Sequence, residues 1–209
     1  KELQPLFQEA RKYKSAEEFV RAQQKAFHGT SVAGLDEIGL GSGPRSNSFM
    51  GTTREVKSGA VFFTPDKSVA DFFAQNRTEF MQDLGKEGTA STYERYLNIK
   101  NPIDFTGKNL AQTTKVLDKL GIDVEGELTG MQSFNRDIKT LLADKEITLD
   151  ELWKLADKPA IVEKLKAAGY DGAIFKETGN RGTSYAIFDP KQALTKSQLT
   201  DLWNKANKK

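Results

Sequence analysis

The chain has 209 residues, with 31 Lys+Arg against 29 Asp+Glu for a net charge of +2, one histidine and no cysteine. That length buries a sizeable core in one domain, or in a domain with an appended subdomain. The missing cysteines exclude disulfide frameworks, thiolate zinc sites and cysteine nucleophiles, and the solitary histidine excludes multi-histidine metal sites. A near-zero charge argues against a surface dedicated to nucleic acid or membrane. The longest apolar runs, such as Gly59 to Phe63, fall far short of the ~20 residues a membrane helix needs, so the chain reads as soluble, and the missing cysteines are consistent with a reducing cytoplasm. Its start at Lys1 reads as a piece of a longer polypeptide.

Two helices are expected before residue 25, the second opened by Ser15 and Glu18 at capping-box spacing. Ala26-Phe27-His28-Gly29-Thr30 predicts a short strand, followed by an amphipathic turn from Leu35 to Leu40. Gly41 to Ser58, with Gly41, Gly43, Pro44 and Gly51 and no apolar period, reads as a mobile loop. Gly59-Ala60-Val61-Phe62-Phe63 is β-prone, and Thr64-Pro65 then reads as N-cap and first position of a helix with Val69, Phe72 and Phe73 on one face.

Tyr93 to Ile99 predicts a strand ended by Asn101-Pro102. From Leu110 to Ala168 the pattern is helical, with stops at Gly121, Gly126 and Gly130, a capping box at Thr148–Glu151, and a last helix from Pro159 to Gly169. Gly172 to Phe175 and Ser184 to Phe188 predict a hairpin, and Leu199, Leu202 and Trp203 an amphipathic helix in the tail. The class is α+β. The expected organisation is an N-terminal helical segment 1–25, a domain 26–193 with a helical insertion at about 107–168, and a C-terminal helix 194–209.

His28 is the first candidate for chemistry, being unique, at a strand end, and followed by a glycine that lets a ligand approach the backbone. Two further segments accompany Phe27-His28-Gly29-Thr30 in order. They are Gly59-Ala60-Val61-Phe62-Phe63-Thr64, leading into Ser68-Val69-Ala70-Asp71-Phe72-Phe73, and Thr183-Ser184-Tyr185-Ala186-Ile187-Phe188-Asp189-Pro190, preceded by Gly169-Tyr170-Asp171-Gly172. Together they resemble the ADP-ribosyltransferase fold, in its poly(ADP-ribose)-polymerase-like, diphtheria-toxin-related branch, and most closely the transferase-like domains in polyvalent proteins of phages and mobile elements. The resemblance covers about Ala26 to Gln192. It implies a mixed β-sheet core, a split NAD-binding sandwich, with NAD as substrate, no metal, and transfer of ADP-ribose to a protein acceptor, less readily to nucleic acid.

By that resemblance His28 bonds the adenosine ribose 2′-OH, the backbone of Gly29 clamps the nicotinamide carboxamide, and Thr30 completes the motif. Phe62 and Phe73 fall at the two aromatic positions that sandwich the nicotinamide, with Ser68 or Ala70 near the carboxamide-binding serine. Phe63 and Phe72 then read as core. Flat π-faces suit a flat, positively charged heterocycle. Arg45 and Arg54, in the loop where the fold often carries a lid, have the bidentate geometry for pyrophosphate.

One position departs from the pattern: Ser184 stands where the family strand carries its catalytic glutamate. That carboxylate orients the ribose and stabilises the oxocarbenium-like charge as the glycosidic bond breaks. Serine supplies no charge. Glu177 before the strand and Gln192 after it are the substitutes within reach of the sequence, Glu177 otherwise reading as a solvated loop carboxylate. The function implied is an NAD-dependent mono-ADP-ribosyltransferase with a toxin- or effector-like role, acting in the cytoplasm. The alternative is a catalytically impaired, transferase-fold binding module of a larger phage or mobile-element protein. An RNA 2′-phosphotransferase shares the His-Gly-Thr look but wants further His and Arg groups for phosphate.

Overall fold

The computed structural model describes residues 4–47, 52–130, 132–177, 179 and 181–208, with the side chains of 45–47 and 52–54 outside the description. In chain order the elements are α1 (Gln4–Ala10), α2 (Ala16–Arg21), β1 (Gln24–Thr30), β2 (Ser42–Asn47), β3 (Thr52–Lys57), β4 (Val61–Phe63), α3 (Lys67–Asp83), β5 (Ser91–Leu97) and β6 (Pro102–Phe105). There follow α4 (Leu110–Lys119), α5 (Val124–Thr129), α6 (Ile138–Ala143), α7 (Trp153–Asp157), α8 (Pro159–Ala167), β7 (Gly172–Lys176), β8 (Thr183–Ile187), β9 (Ala193–Leu194) and α9 (Lys196–Asn207). The class is mixed α+β, as expected. No helix among the described residues is long and apolar enough to cross a membrane.

Two compact units result, each built from separated stretches of chain: Lys1–Asp36 with Phe63–Asn98 and Lys191–Lys209, and Glu37–Phe62 with Ile99–Pro190. In the first, β1, β5 and β9 form an antiparallel sheet in that order. Leu6, Ala10, Phe19, Val20, Tyr96, Leu194, Leu199, Leu202 and Ala206 make one core. The terminal helices are therefore built into this unit, with Trp203 donating its indole N–H to Tyr13 C=O at 3.2 Å.

The second unit holds the sheet β4-β8-β7-β6, with β7–β8 antiparallel and β6–β7 parallel. The helices between β6 and β7 bury Leu117, Ile138, Leu141, Leu152, Leu155 and Leu165 against Ile103, Phe105, Ala173 and Phe175. The expected helical insertion is thus the core partner of this sheet.

Several local expectations change. Ser42–Asn47 and Thr52–Lys57 are six residue pairs of an antiparallel hairpin rather than a loop. The ladder bonds of the two strands and β-prone Thr52, Thr53 and Val56 stand in for the apolar period that was missing from the sequence. Asp66, not Thr64, caps α3, its Oδ1 accepting from Ser68 N–H at 2.8 Å. Thr64 is still extended and bridges to Phe27. Gly126 lies inside α5 and does not stop it; Gly121, Gly130 and Gly169 do follow helices, at φ +60°, +67° and +90°. Ser15 accepts from Glu18 N–H, but Glu18 reaches back to Lys14 N–H instead of closing the box on Ser15. The capping box at Thr148–Glu151 forms, as does the proline start of α8.

Candidate functional site

In the first unit the backbone of β1 does what side chains do elsewhere. Phe27 N–H donates to Thr64 C=O at 2.7 Å and Thr64 N–H to Phe27 C=O at 2.9 Å, on the side of β1 away from β5. Peptide groups two residues apart in a strand point the same way, so the N–H and C=O of Gly29 are turned to that same edge. A side chain at position 29 is sterically barred, since a Cβ there would lie 1.9 Å from Ala70 O. Glycine lets α3 sit directly on the strand. Thr92, opposite Gly29, donates its Oγ1 to Asp71 Oδ1 at 2.6 Å, and Lys67 Nζ meets the same carboxylate at 2.8 Å. The Lys67 hydrogen bond, then that from Thr92, hold the Asp71 carboxyl below the usual carboxylate range.

His28 is half-buried, opposite Tyr93 in the ladder, and its ring lies 5.5 Å from that of Phe63. The phenylalanine read from sequence as core therefore stands beside the histidine. Thr30, opposite Ser91, ends the strand. Phe73 is partly exposed on α3 and meets Phe72 edge-on at 5.5 Å. Ser68 is exposed and its hydroxyl donates to Asp66 Oδ1 at 2.7 Å, within the cap of α3.

Nothing in the sequence singled out Tyr93 as a functional residue. Its Oη accepts from Leu35 N–H and donates to Val32 C=O, both at 3.0 Å, while Arg95 lies over its ring at 5.6 Å and donates to Asp36 C=O at 3.0 Å. These two residues fasten the segment that follows His28-Gly29-Thr30. Strand alternation alone cannot say which loop a tyrosine will hold. Gln192 is committed elsewhere: its Nε2 donates to Asn98 C=O at 3.1 Å and its own C=O accepts from Asn98 N–H at 2.9 Å.

In the second unit Phe62 packs edge-on against Trp153 and Phe175, at 5.9 and 5.7 Å between ring centres. Phe175 pairs in register with Ser184, and directly opposed residues share a face of the sheet. Ser184 is 1 % exposed and its Oγ has no hydrogen-bond partner among the described residues. Its face is the one covered by the helical core, where Ala186 is buried as well.

Glu177 is not a solvated loop carboxylate. It is 9 % exposed, and its N–H donates to Gly182 C=O at 2.9 Å, extending the β7–β8 hairpin one step past the Lys176–Thr183 pair. The sequence misled because Glu177 opens a run of polar turn residues, while its burial comes from the sheet it adjoins. Arg45 and Arg54 occupy directly opposed positions in β2 and β3; their side chains lie outside the described residues. A separate carboxylate, Glu125, is 2 % exposed and bound by Arg136, with Phe134 and Arg136 N–H groups on its Oε2 at 2.7 and 3.0 Å. The Arg136 side-chain bond is the main cause that lowers its pKa to about 2. Glu146 accepts two further bonds from Arg136, both at 2.6 Å, so this cluster is a self-contained clasp on the segment after α5.

Among the described residues no three His, Cys, Asp or Glu side chains converge to hold a metal ion. In the first unit the motif residues offer an edge-facing backbone, an imidazole and the rings of Phe63 and Phe73, a set suited to an uncharged amide, hydroxyls and a flat heterocycle. No curated protein and no solved structure matches the chain. The model of the family described as ADP-ribosyltransferase in polyvalent proteins matches residues 22–198, most of the chain and all three motif segments. The chain therefore belongs to the ADP-ribosyltransferases of polyvalent proteins.

Proposed function

We propose that the protein is a mono-ADP-ribosyltransferase that takes NAD as donor and a protein side chain as acceptor. The observation that carries this reading is the peptide of Gly29, held with its N–H and C=O toward the strand edge by the contact with Ala70 that only glycine permits. A primary carboxamide has one acceptor and two donors, and one strand residue whose N–H and C=O face the same edge satisfies it with two parallel bonds. His28, with donor and acceptor nitrogens, suits a ribose hydroxyl. Phe73, partly exposed on α3, offers a ring face to a nicotinamide.

NAD bound there supplies a ribose–nicotinamide bond whose pair of electrons leaves with nicotinamide; the acceptor loses a proton and joins the ribose carbon. Positive charge grows on the ribose as that bond stretches, and a carboxylate fixed beforehand in a water-poor site stabilises it. Glu177, buried just past the end of β7, is the carboxylate that the family resemblance leaves as the candidate for that group. Ser184 is not, because its hydroxyl lies within the helical core face and carries no charge.

The test has two parts. Labelled NAD is incubated with a cell lysate and wild type, His28→Ala or Glu177→Gln; labelled protein bands with wild type alone support the reading. In parallel, the amide resonance of Gly29 is followed on adding NAD and then nicotinamide alone. A Gly29 signal that neither ligand moves defeats the clamp. A second reading, a binding module without turnover, is favoured by Ser184 at the glutamate position, and it predicts the Gly29 shift without any labelled band.

A further inference from the structure

The loop that leaves His28-Gly29-Thr30 is pinned at four backbone groups, yet its middle stays in solvent. Ser31 C=O accepts from Thr89 N–H at 2.8 Å, Val32 C=O and Leu35 N–H are both bonded by Tyr93 Oη at 3.0 Å, and Asp36 C=O accepts from Arg95 Nη2 at 3.0 Å. Gly34, at φ +72°, makes the turn that brings Val32 C=O and Leu35 N–H onto one hydroxyl. Between the pins Val32, Ala33 and Gly34 are exposed, and none of residues 31–36 joins either hydrophobic core. Such a loop is ordinarily mobile. Here two side chains of β5 hold three of its four pinned groups, an order that packing does not require.

We propose that Tyr93 is a positioning residue for the adenosine half of the donor, acting through the loop 31–36. The proposal rests on the NAD reading and deepens it, and every residue it uses lies in the first unit. Tyr93 and Arg95 stand opposite His28 and Ala26 in the ladder, so the latch and the histidine share one face of the sheet. Arg95, itself buried, lies over the Tyr93 ring at 5.6 Å and fixes it. In the NAD reading His28 holds the hydroxyl of the adenosine ribose, and the adenine is joined to that ribose. Val32 follows His28 by four residues, about 14 Å at full extension, so the base falls within reach of the exposed apolar stretch Val32-Ala33. An apolar wall suits a flat, uncharged base. A loop ordered beforehand spares binding the entropy of ordering it.

Tyr93→Phe takes away the hydroxyl and keeps the ring under Arg95. Hydrogen exchange at Leu35 N–H is expected to accelerate about 10-fold, and calorimetry to show NAD and ADP-ribose bound about 10-fold more weakly with nicotinamide affinity unchanged. In nicotinamide release the same loss falls on KM for NAD, with kcat kept. Arg95→Met, which gives up the tie to Asp36, should move the same readouts in the same direction and decides the matter if the phenylalanine variant does not fold. A merely structural tyrosine would weaken nicotinamide and ADP-ribose alike, and that result overturns the proposal. So does a freed Leu35 with ADP-ribose affinity intact, or a Leu35 amide that exchanges no faster. In each of these cases wild type still binds NAD and the proposed function stands. A wild-type protein that binds neither NAD nor ADP-ribose overturns the NAD reading and this proposal with it.

Discussion

The two units arrive at their candidate groups by opposite routes. In the first, the decisive group is a peptide: Gly29 is set by strand alternation and by the backbone of α3 lying against it, and its side chain is absent by necessity. In the second, the candidates are side chains: Phe62, packed by helices remote from it in sequence, and Glu177, buried at the hairpin it extends. Backbone recognition cannot be separated from the fold, whereas side-chain chemistry can be removed with the fold intact. Mutations should therefore behave differently in the two units.

The largest effect is expected from Glu177→Gln. The amide keeps the size of the carboxyl and loses its charge, so nicotinamide release should fall roughly 10²- to 10³-fold with the melting temperature nearly unchanged. An active glutamine variant would return the catalytic role to some other group. Gly29→Ala should show the opposite coupling. With backbone oxygen 1.9 Å from the new Cβ, α3 has to move, at a cost of about 3 kcal/mol in chemical denaturation, and NAD binding should vanish together with stability. An alanine variant as stable as wild type would show that α3 does not pin the strand.

Ser184 sharpens the second unit's side of the comparison. Ser184→Ala removes a buried hydroxyl without a partner and should be neutral or stabilising by about 1 kcal/mol. Ser184→Glu puts a charge on the core face and should destabilise by about 3 kcal/mol without raising turnover. A stable glutamate variant with new activity would mean that the strand presents position 184 to the substrate after all.

The smallest effect concerns the clasp at Glu125. Its folded pKa of about 2 lies below the ordinary value of 4.5, so its contribution is complete above about 4.5 and disappears as pH falls through about 2. The melting temperature of wild type should exceed that of Glu125→Gln at neutral pH, and the gap should close as the pH approaches about 2. A gap that persists in acid would mean that the clasp is not ionic.

Much of the layout was legible because its signals are local. Pro159 at a helix start, Thr148 and Glu151 at box spacing, and glycines after helices act within a few residues of themselves. The three-segment order around His28 also survived, since each segment carries its own strand or helix pattern. What the sequence hid depends on partners far along the chain. The β2–β3 hairpin is polar on both strands and is specified by its ladder, so it read as a loop. Strand β6 pairs with β7 across nearly the whole insertion, and Pro102 at its start looked like an exit. Phe62 and Phe63 are adjacent and equally apolar; which of the two meets His28 and which meets Trp153 follows from strand parity that no composition rule reveals. Glu177 was missed as a buried group because it opens a polar turn, while the hairpin it extends buries it.

The most direct measurement is release of nicotinamide from NAD in the presence of acceptor protein, compared between wild type and His28→Ala. Release by wild type, with ADP-ribose recovered on protein, and loss of both in the alanine variant are the predicted result. No release by wild type with any protein acceptor, or equal release by the two proteins, would contradict it.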